Sequence, residues 1–236
     1  MIEEARDLAP IFYPTEAYNN TLEKITKHHF AVLEGPPEVG KTAIARVIGL
    51  SRLSIGWEAY ECLSPNEFYQ IHDNEIPQIF IADDAFGSTE YDPTKSNEWA
   101  LNLDRVLRRL DSKHWLIWTA RKHILEIALE RMRLQGKGEH FPDPAAILVD
   151  ASDLSTIEKA MILYRHSKAA GLESEAREII KENAKTIIES SHFTPERIRR
   201  FVYTTLPSLM KKHKSGNLKK KDMLIIINKE IQEPTK

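Results

Sequence analysis

Within the segment GPPEVGKT at 35–42, Gly35, Gly40, Lys41 and Thr42 keep the spacing GxxxxGK(S/T). These residue types at this spacing suit the cradling of a polyphosphate. Gly40 lets the backbone curl so that successive N–H groups point inward, and a helix opening at Lys41 adds the positive end of its dipole. Lys41 then reaches the β- and γ-phosphates, and the Thr42 hydroxyl becomes a ligand of Mg2+. Pro36 and Pro37 stiffen the loop without donating, while Val39 and Ala43 complete a nucleotide-contacting set that runs from 35 to 43. Glu38 stands where many such loops carry glycine, so its carboxylate is expected to repel phosphate and weaken affinity. A glycine turn that only caps a helix is the plainer alternative.

A second cluster of chemistry-bearing residues follows in IFIADDAFG, where an apolar run ends in Asp83 and Asp84. If that run is a strand, both acids lie at its C-terminal end, where open parallel sheets present ligands. Asp83 is the expected anchor for a Mg2+-bound water beside Thr42, which makes Thr42 and Asp83 the candidate metal residues. Asp84 is the candidate catalytic carboxylate that orients or activates an attacking water. An N-cap pair for the following turn competes with this reading.

These residues need elements to hold them. Short apolar runs at 29–34 (HFAVLE), 78–83 (QIFIAD), 114–120 (HWLIWTA) and 145–150 (AAILVD), with a weaker one at 57–62, alternate with helical patterns. That alternation predicts an α/β core, a parallel sheet covered by helices, over 1–150. Helices are expected at 41–50, at 98–110, where Trp99, Leu103, Val106, Leu107 and Leu110 share one face, and at 122–135. GKGEHFPDP, which follows, reads as an exposed loop. Beyond 151 the strand signals stop, and helical stretches at 154–170, 173–190 and 194–213 predict an all-helical subdomain over 151–210. The remainder, 211–236, reads as a basic linker or the start of a further helical or winged-helix element.

Composition bounds the partners. Thirty-three Lys and Arg against 35 Asp and Glu give a formal charge of -2, so no global basic field points to nucleic acid or an anionic membrane. Cys62 is the single cysteine, which fits a reducing compartment. No segment has the roughly 18 apolar residues that span a bilayer, and MIEEARDLAP is acidic where a signal peptide is basic and then apolar. A cytoplasmic protein with no membrane partner is the expectation. The six lysines and one histidine of 211–221 are a possible grip on nucleic acid. They have no interleaved aromatic residue, so a solvated linker is the favoured reading.

Four segments together resemble the STAND class of AAA-like signalling ATPases, and most closely its third novel subclass. IFYPTEAYNNTLEKI resembles the aromatic-containing lead-in of that family, DDAFG its DDPFG, WTARKHIL its T-S-R sensor, and HFTPERIRRFV the Pro-Arg segment of its lid. The likeness runs from about Ile11 to the end. Departures are Glu38 for a loop glycine, Ala85 for proline, and Glu196 between Pro195 and Arg197.

The resemblance implies a three-layer P-loop fold of strand order 5-1-4-3-2 with a helical lid. It also implies bound ATP or ADP with Mg2+, and a switch in which ATP permits a homo-oligomer that drives an attached effector. By the same likeness, Thr119 or Arg121 is a sensor of the terminal phosphate, and Arg121 is the candidate catalytic residue; otherwise Arg121 merely opens a surface helix. Tyr13 and Thr15 match positions that contact adenine, or else pack the lead-in on the sheet. His166 matches a lid histidine near the β-phosphate, or else is a satisfied helix histidine. Pro195 and Arg197 match the Pro-Arg pair of the lid, and Arg197, Arg199 and Arg200 either supply a lid arginine to the γ-phosphate or form a solvated helix face. Arg105, Arg108 and Arg109 are either an arginine finger for a neighbouring subunit or the exposed face of a helix, with Asp104 and Arg108 paired. Family members usually carry effector and sensor domains on either side, so a fragment or a stripped-down member is expected. The guanine signature NKxD fails at Asn228–Lys229, where Glu230 and Ile231 follow, so adenine is favoured. A DNA-associated AAA-type ATPase or loader and a non-hydrolysing nucleotide scaffold are the competing functions.

Overall fold

A computed structural model of the chain describes residues 7–134 and 141–233. Residues 136–140 of the expected loop at 136–144, and the acidic start, therefore lie outside the described residues, while 141–143 carry no regular structure and Pro144 opens a helical turn. Contacts divide the chain into two units. The first takes in Pro14–Pro37 and Lys41–Asp153; the second takes in Pro10–Tyr13, Glu38–Gly40 and the chain from Leu154 onward.

The first unit is a parallel sheet: β1 (Phe30–Glu34), β2 (Glu58–Glu61), β3 (Gln78–Ala82), β4 (His114–Ala120) and β5 (Leu148–Asp150), in the order β2-β3-β4-β1-β5. This is the expected 5-1-4-3-2 order read from the other edge. Helices α1 (Glu16–His28), α2 (Lys41–Leu53), α3 (Pro65–Ile71), α4 (Pro93–Leu107), α5 (Lys122–Leu134) and the single turn α6 (Pro144–Ile147) make the connections. Parallel neighbours require such crossovers. Strands β3 and β4 are buried along their whole length, which is why they read as unbroken apolar runs.

Trp118 of β4 gathers this core, with Phe30, Phe86 and Trp99 each meeting it edge-on at ring distances of 4.9, 5.0 and 5.0 Å. Such aromatic pairs add to the stabilisation from burial itself. Helix α4 begins five residues before the apolar stripe suggests. Asp92 caps it by accepting from the Thr94 and Lys95 amides, and Pro93 needs no acceptor for an N–H that it lacks.

The second unit is helical: α7 (Thr156–Ala169), α8 (Ser174–Ile188), α9 (Pro195–Arg200), a π-helical turn (Phe201–Thr205), α10 (Leu206–Lys214) and α11 (Lys220–Gln232). Ser155 and Glu158 form a reciprocal capping box at the start of α7. The wide turn has a local cause. Pro207 has no N–H to donate and its ring crowds the preceding turn, so Leu206 bonds back to the Phe201 carbonyl, five residues away. Ile179, Ile187, Phe201, Val202, Leu206, Met223 and Ile227 fill the core of the unit. The basic run is split between elements: 211–214 closes α10, where cations suit the helix dipole, and the lysines from 220 open α11. Lys214 pairs with Glu173, and His213 lies 3.8 Å from Glu175. No helix of the described residues is long and apolar enough to cross a membrane.

Candidate functional site

Strand order places the candidate chemistry. The glycine loop follows β1, the acids follow β3, and β4 lies between those two strands, with Thr119 paired to Leu33 of β1 and Trp118 to Ala82 of β3. Thr119 therefore stands between the loop and the acids. Its hydroxyl donates to Asp83 Oδ1 at 2.6 Å and accepts from the Asp84 amide at 2.9 Å. The Thr42 hydroxyl donates to the same Asp83 oxygen at 2.8 Å. Two hydroxyls from different elements thus converge on one carboxylate. Because Thr42 and Asp83 offer hard oxygen donors side by side, they fit Mg2+, which when bound would screen phosphate charge.

Lys41 is 7% exposed, and its ammonium donates to the Gly35 and Pro36 carbonyls at 2.9 and 2.7 Å. Burial pulls its pKa below the ordinary lysine range; Asp84 and Asp83 oppose this and Arg121 reinforces it. These influences place Arg121 in the electrostatic neighbourhood of Lys41 and both acids. Burial, then the Asp83 charge, pushes the Asp84 carboxyl up, against Lys41 and Arg121. A carboxylate raised in this way is a stronger proton acceptor than an ordinary aspartate.

The backbone around the acids is fixed by a tight turn. Asp84 lies at φ 47°, and the Ala85 amide bonds the Thr119 carbonyl at 3.1 Å. Gly87 is required here: a Cβ at that position would come within 2.0 Å of the Glu90 carbonyl oxygen. In the glycine loop, Glu38 at φ 68° and Gly40 at φ 97° adopt left-handed backbone, the curl that turns amides toward an anion. Pro36, Pro37, Val39 and Ala43 complete this stretch.

The second unit holds the other sequence candidates. Within it Glu38 is partnered, accepting from Arg200 Nη2 at 2.9 Å and from the Thr194 hydroxyl at 3.3 Å. The expected phosphate-repelling carboxylate is therefore matched by a guanidinium. Pro195 opens α9 behind the Thr194 cap, and its Cγ lies 3.9 Å from where a Cβ on Gly40 would sit. Arg197 is 6% exposed and donates to the Glu230 and Glu233 carbonyls at 3.3 and 2.6 Å, so it fastens the end of α11. His166 is buried with its ring 6.0 Å from that of Tyr203, and burial followed by the Arg199 charge lowers its pKa to about 4. Tyr13 packs on the helical core, with the Arg165 guanidinium 5.8 Å from its ring. In the first unit Thr15 caps α1, accepting from the Tyr18 amide at 3.3 Å. Arg108 pairs with Asp104 at 2.5 Å, and Arg105 and Arg109 both lie 5.5 Å over the Tyr69 ring.

Sequence reasoning named Arg200 only as one of three candidate lid arginines and gave Thr194 no role. The signal was an acid at a loop position that commonly carries glycine, because a carboxylate held there needs a donor from elsewhere.

The sheet order and the glycine loop that follows β1 define an α/β P-loop fold. Solved structures agree in fold. Domain III of the Thermotoga maritima replication initiation protein DnaA is 15% identical, with 94% of this chain and 95% of that one covered, at a TM-score of 0.58. The FIGL-1 AAA domain, solved in complex with ADP, is 13% identical over 99% and 82%, at 0.57. The P216G mutant of Thermotoga maritima RuvB is 15% identical over 92% and 73%, at 0.53. No curated protein matches the chain in sequence. The novel STAND NTPase 3 family model matches residues 12–169, more than half of the chain, and the chain belongs to that family.

Proposed function

We propose that the chain is an ATP-binding regulatory NTPase module in which ATP or ADP, held with Mg2+, sets conformation and oligomeric state. The observation that carries this reading is the convergence of the Thr42 and Thr119 hydroxyls on Asp83, next to the buried Lys41. Lys41 exchanges its bonds to the Gly35 and Pro36 carbonyls for phosphate oxygens. Thr42 would hold the metal directly and Asp83 through a metal-bound water, while Asp84 would accept a proton from the attacking water, which would make the module a slow ATPase. Arg121 stabilises charge on the terminal phosphate. A signalling output, in cytoplasmic antiphage defence, follows from the family resemblance and from the logic of a ligand that favours one of two states. Effector and sensor partners belong to that same proposal.

The test is calorimetry of ATP and ADP with Mg2+ on the parent chain and on Lys41→Ala, with oligomeric state followed by light scattering. Micromolar binding that disappears in the variant, with assembly under ATP alone, is the expected result. A parent chain that binds neither nucleotide at millimolar concentration overturns the reading.

A further inference from the structure

At the end of β4 remote from Thr119, His114 is 3% exposed with both ring nitrogens engaged. Nδ1 lies 2.8 Å from Asp111 Oδ1, and Nε2 lies 2.8 Å from the Asp73 carbonyl oxygen. A peptide carbonyl only accepts. Asp111 Oδ1 also only accepts, because it already receives the backbone N–H groups of Lys113 at 2.7 Å and His114 at 3.0 Å. Burial acts to raise the Asp111 pKa, yet those amides and the His114 ring hold the carboxyl below its ordinary range. A neutral imidazole carries one N–H and one lone pair, so it would set that lone pair against an oxygen lone pair on one side. Only the imidazolium, with two N–H groups, satisfies both partners.

The surroundings fit a charged ring. His72, which caps α3, lies 4.6 Å from His114 ring to ring at a tilt of 30°, with its Nε2 3.4 Å from the Arg109 carbonyl. Burial and then the nearby His114 ring push the His72 pKa down. Beneath β3, Gln78 donates from its backbone to the Lys113 carbonyl at 2.7 Å and from its side chain to Glu58 at 3.1 Å. The Asp73 carboxylate is occupied by the Glu75 amide at 2.8 Å. Titratable neighbours are therefore Asp111 on its own turn, His72 and Asp73 ahead of β3, and Glu58 of β2 through Gln78.

We propose that His114 is a proton-dependent clasp: as the imidazolium it fastens the segment 72–77 to β4, and on losing its proton it releases that segment while remaining on Asp111. Acceptor strength sets the direction, because a carboxylate holds the one remaining N–H better than a peptide carbonyl does. Nε2 then turns a lone pair toward Asp73, and that contact opens. The clasp is independent of whether the glycine loop binds nucleotide.

Two measurements on the full chain test it. Nitrogen-15 NMR of the histidine rings, assigned by through-bond coupling, is followed from about pH 6 to about pH 9, together with amide exchange over 72–78 corrected for its intrinsic pH dependence. Both His114 nitrogens should show protonated shifts at the acid end. As pH rises Nε2 alone should move to the lone-pair value, with exchange over 72–78 rising about fivefold in step. His114→Phe should exchange fast at every pH, and His72→Phe should keep the step. A lone pair on either His114 nitrogen at the acid end, or constant protection of 72–78 throughout, overturns the clasp; the parent chain alone decides this even if His114→Phe does not fold.

Discussion

The Thr119 hydroxyl donates to Asp83 at 2.6 Å while accepting the Asp84 amide proton at 2.9 Å, so one side chain of β4 fixes both acids at the end of β3. Thr119→Val keeps the shape and deletes both bonds. The Asp84 amide loses its acceptor, and destabilisation of about 1–3 kcal/mol should appear in denaturant melts. Phosphate release should fall on the order of 100-fold through misplacement of the acids, while calorimetric ATP affinity changes little. An equal loss of affinity and turnover would place Thr119 in binding instead.

Asp84→Asn should leave nucleotide affinity intact and lower turnover by about 100-fold or more, the usual contribution of a positioned base. Asparagine tolerates left-handed backbone, so the φ of 47° is no obstacle. Its pH profile carries a sign. The carboxylate is the active form and its pKa is raised by burial and by Asp83, so turnover should climb with pH through a limb above the ordinary carboxylate range. That limb should be missing in the variant. A parent limb at the ordinary position would remove Asp84 from the role of base.

Glu38 and Arg200 make a second pair that can be tested by cycle. Arg200→Ala leaves a carboxylate in the glycine loop without its guanidinium, so ATP affinity should weaken by roughly fivefold, or about 1 kcal/mol for a partly exposed charge. Glu38→Gly relieves left-handed strain and removes the anion, so affinity should rise. In the Glu38→Gly background, Arg200→Ala should then have little effect on calorimetric binding. A full Arg200 effect in that background would mean that the guanidinium acts on nucleotide without reference to Glu38.

His166 links stability to acid. Its folded pKa is lowered to about 4 by burial and by Arg199, whereas an exposed histidine titrates near 6.5. The unfolded chain therefore binds the proton first as pH falls, and stability is lost between about 6.5 and about 4. The loss is at most on the order of 3 kcal/mol from this group. Melts of the parent across that window should slope accordingly, and His166→Leu should flatten that part of the slope. An unchanged slope would mean that the proton goes elsewhere.

The sequence makes the strands that carry the chemistry easy to see, because both faces of β3 and β4 are covered and their residues are apolar without interruption. Strand β2 was faint for the opposite reason: at the sheet edge only Ala59 of Glu58–Glu61 is buried. Helix α3 is one short segment behind the cap of Ser64 and offers too few residues for a periodicity to show. At the site, Lys41, Thr42 and Asp83 are legible because phosphate chemistry restricts residue type and spacing. The partner of Glu38 is not, since 162 positions separate it from Arg200. Arg197 shows the same limit: the sequence does not disclose that it donates to carbonyls 33 and 36 positions later.

Strand β4 has a consequence for how the molecule comes into being. Strands β1 and β3 never pair with each other; each pairs with β4, which is made after both. A chain emerging from the ribosome holds the glycine loop by residue 42 and the acids by residue 84. Yet apart from the Thr42 bond to Asp83 and the packing of α2 on β3, no strand pairing links β1 to β3 until residues 114–120 enter between their edges. Until then the growing polypeptide presents unpaired strand edges, the surface on which nascent chains misassociate. Lengthening the stretch between Ala82 and His114 should therefore slow folding far more than it lowers final stability, because loop closure costs only logarithmically with length. The capacity to hold a phosphate is acquired late in synthesis, although the loop that names it is among the earliest parts made.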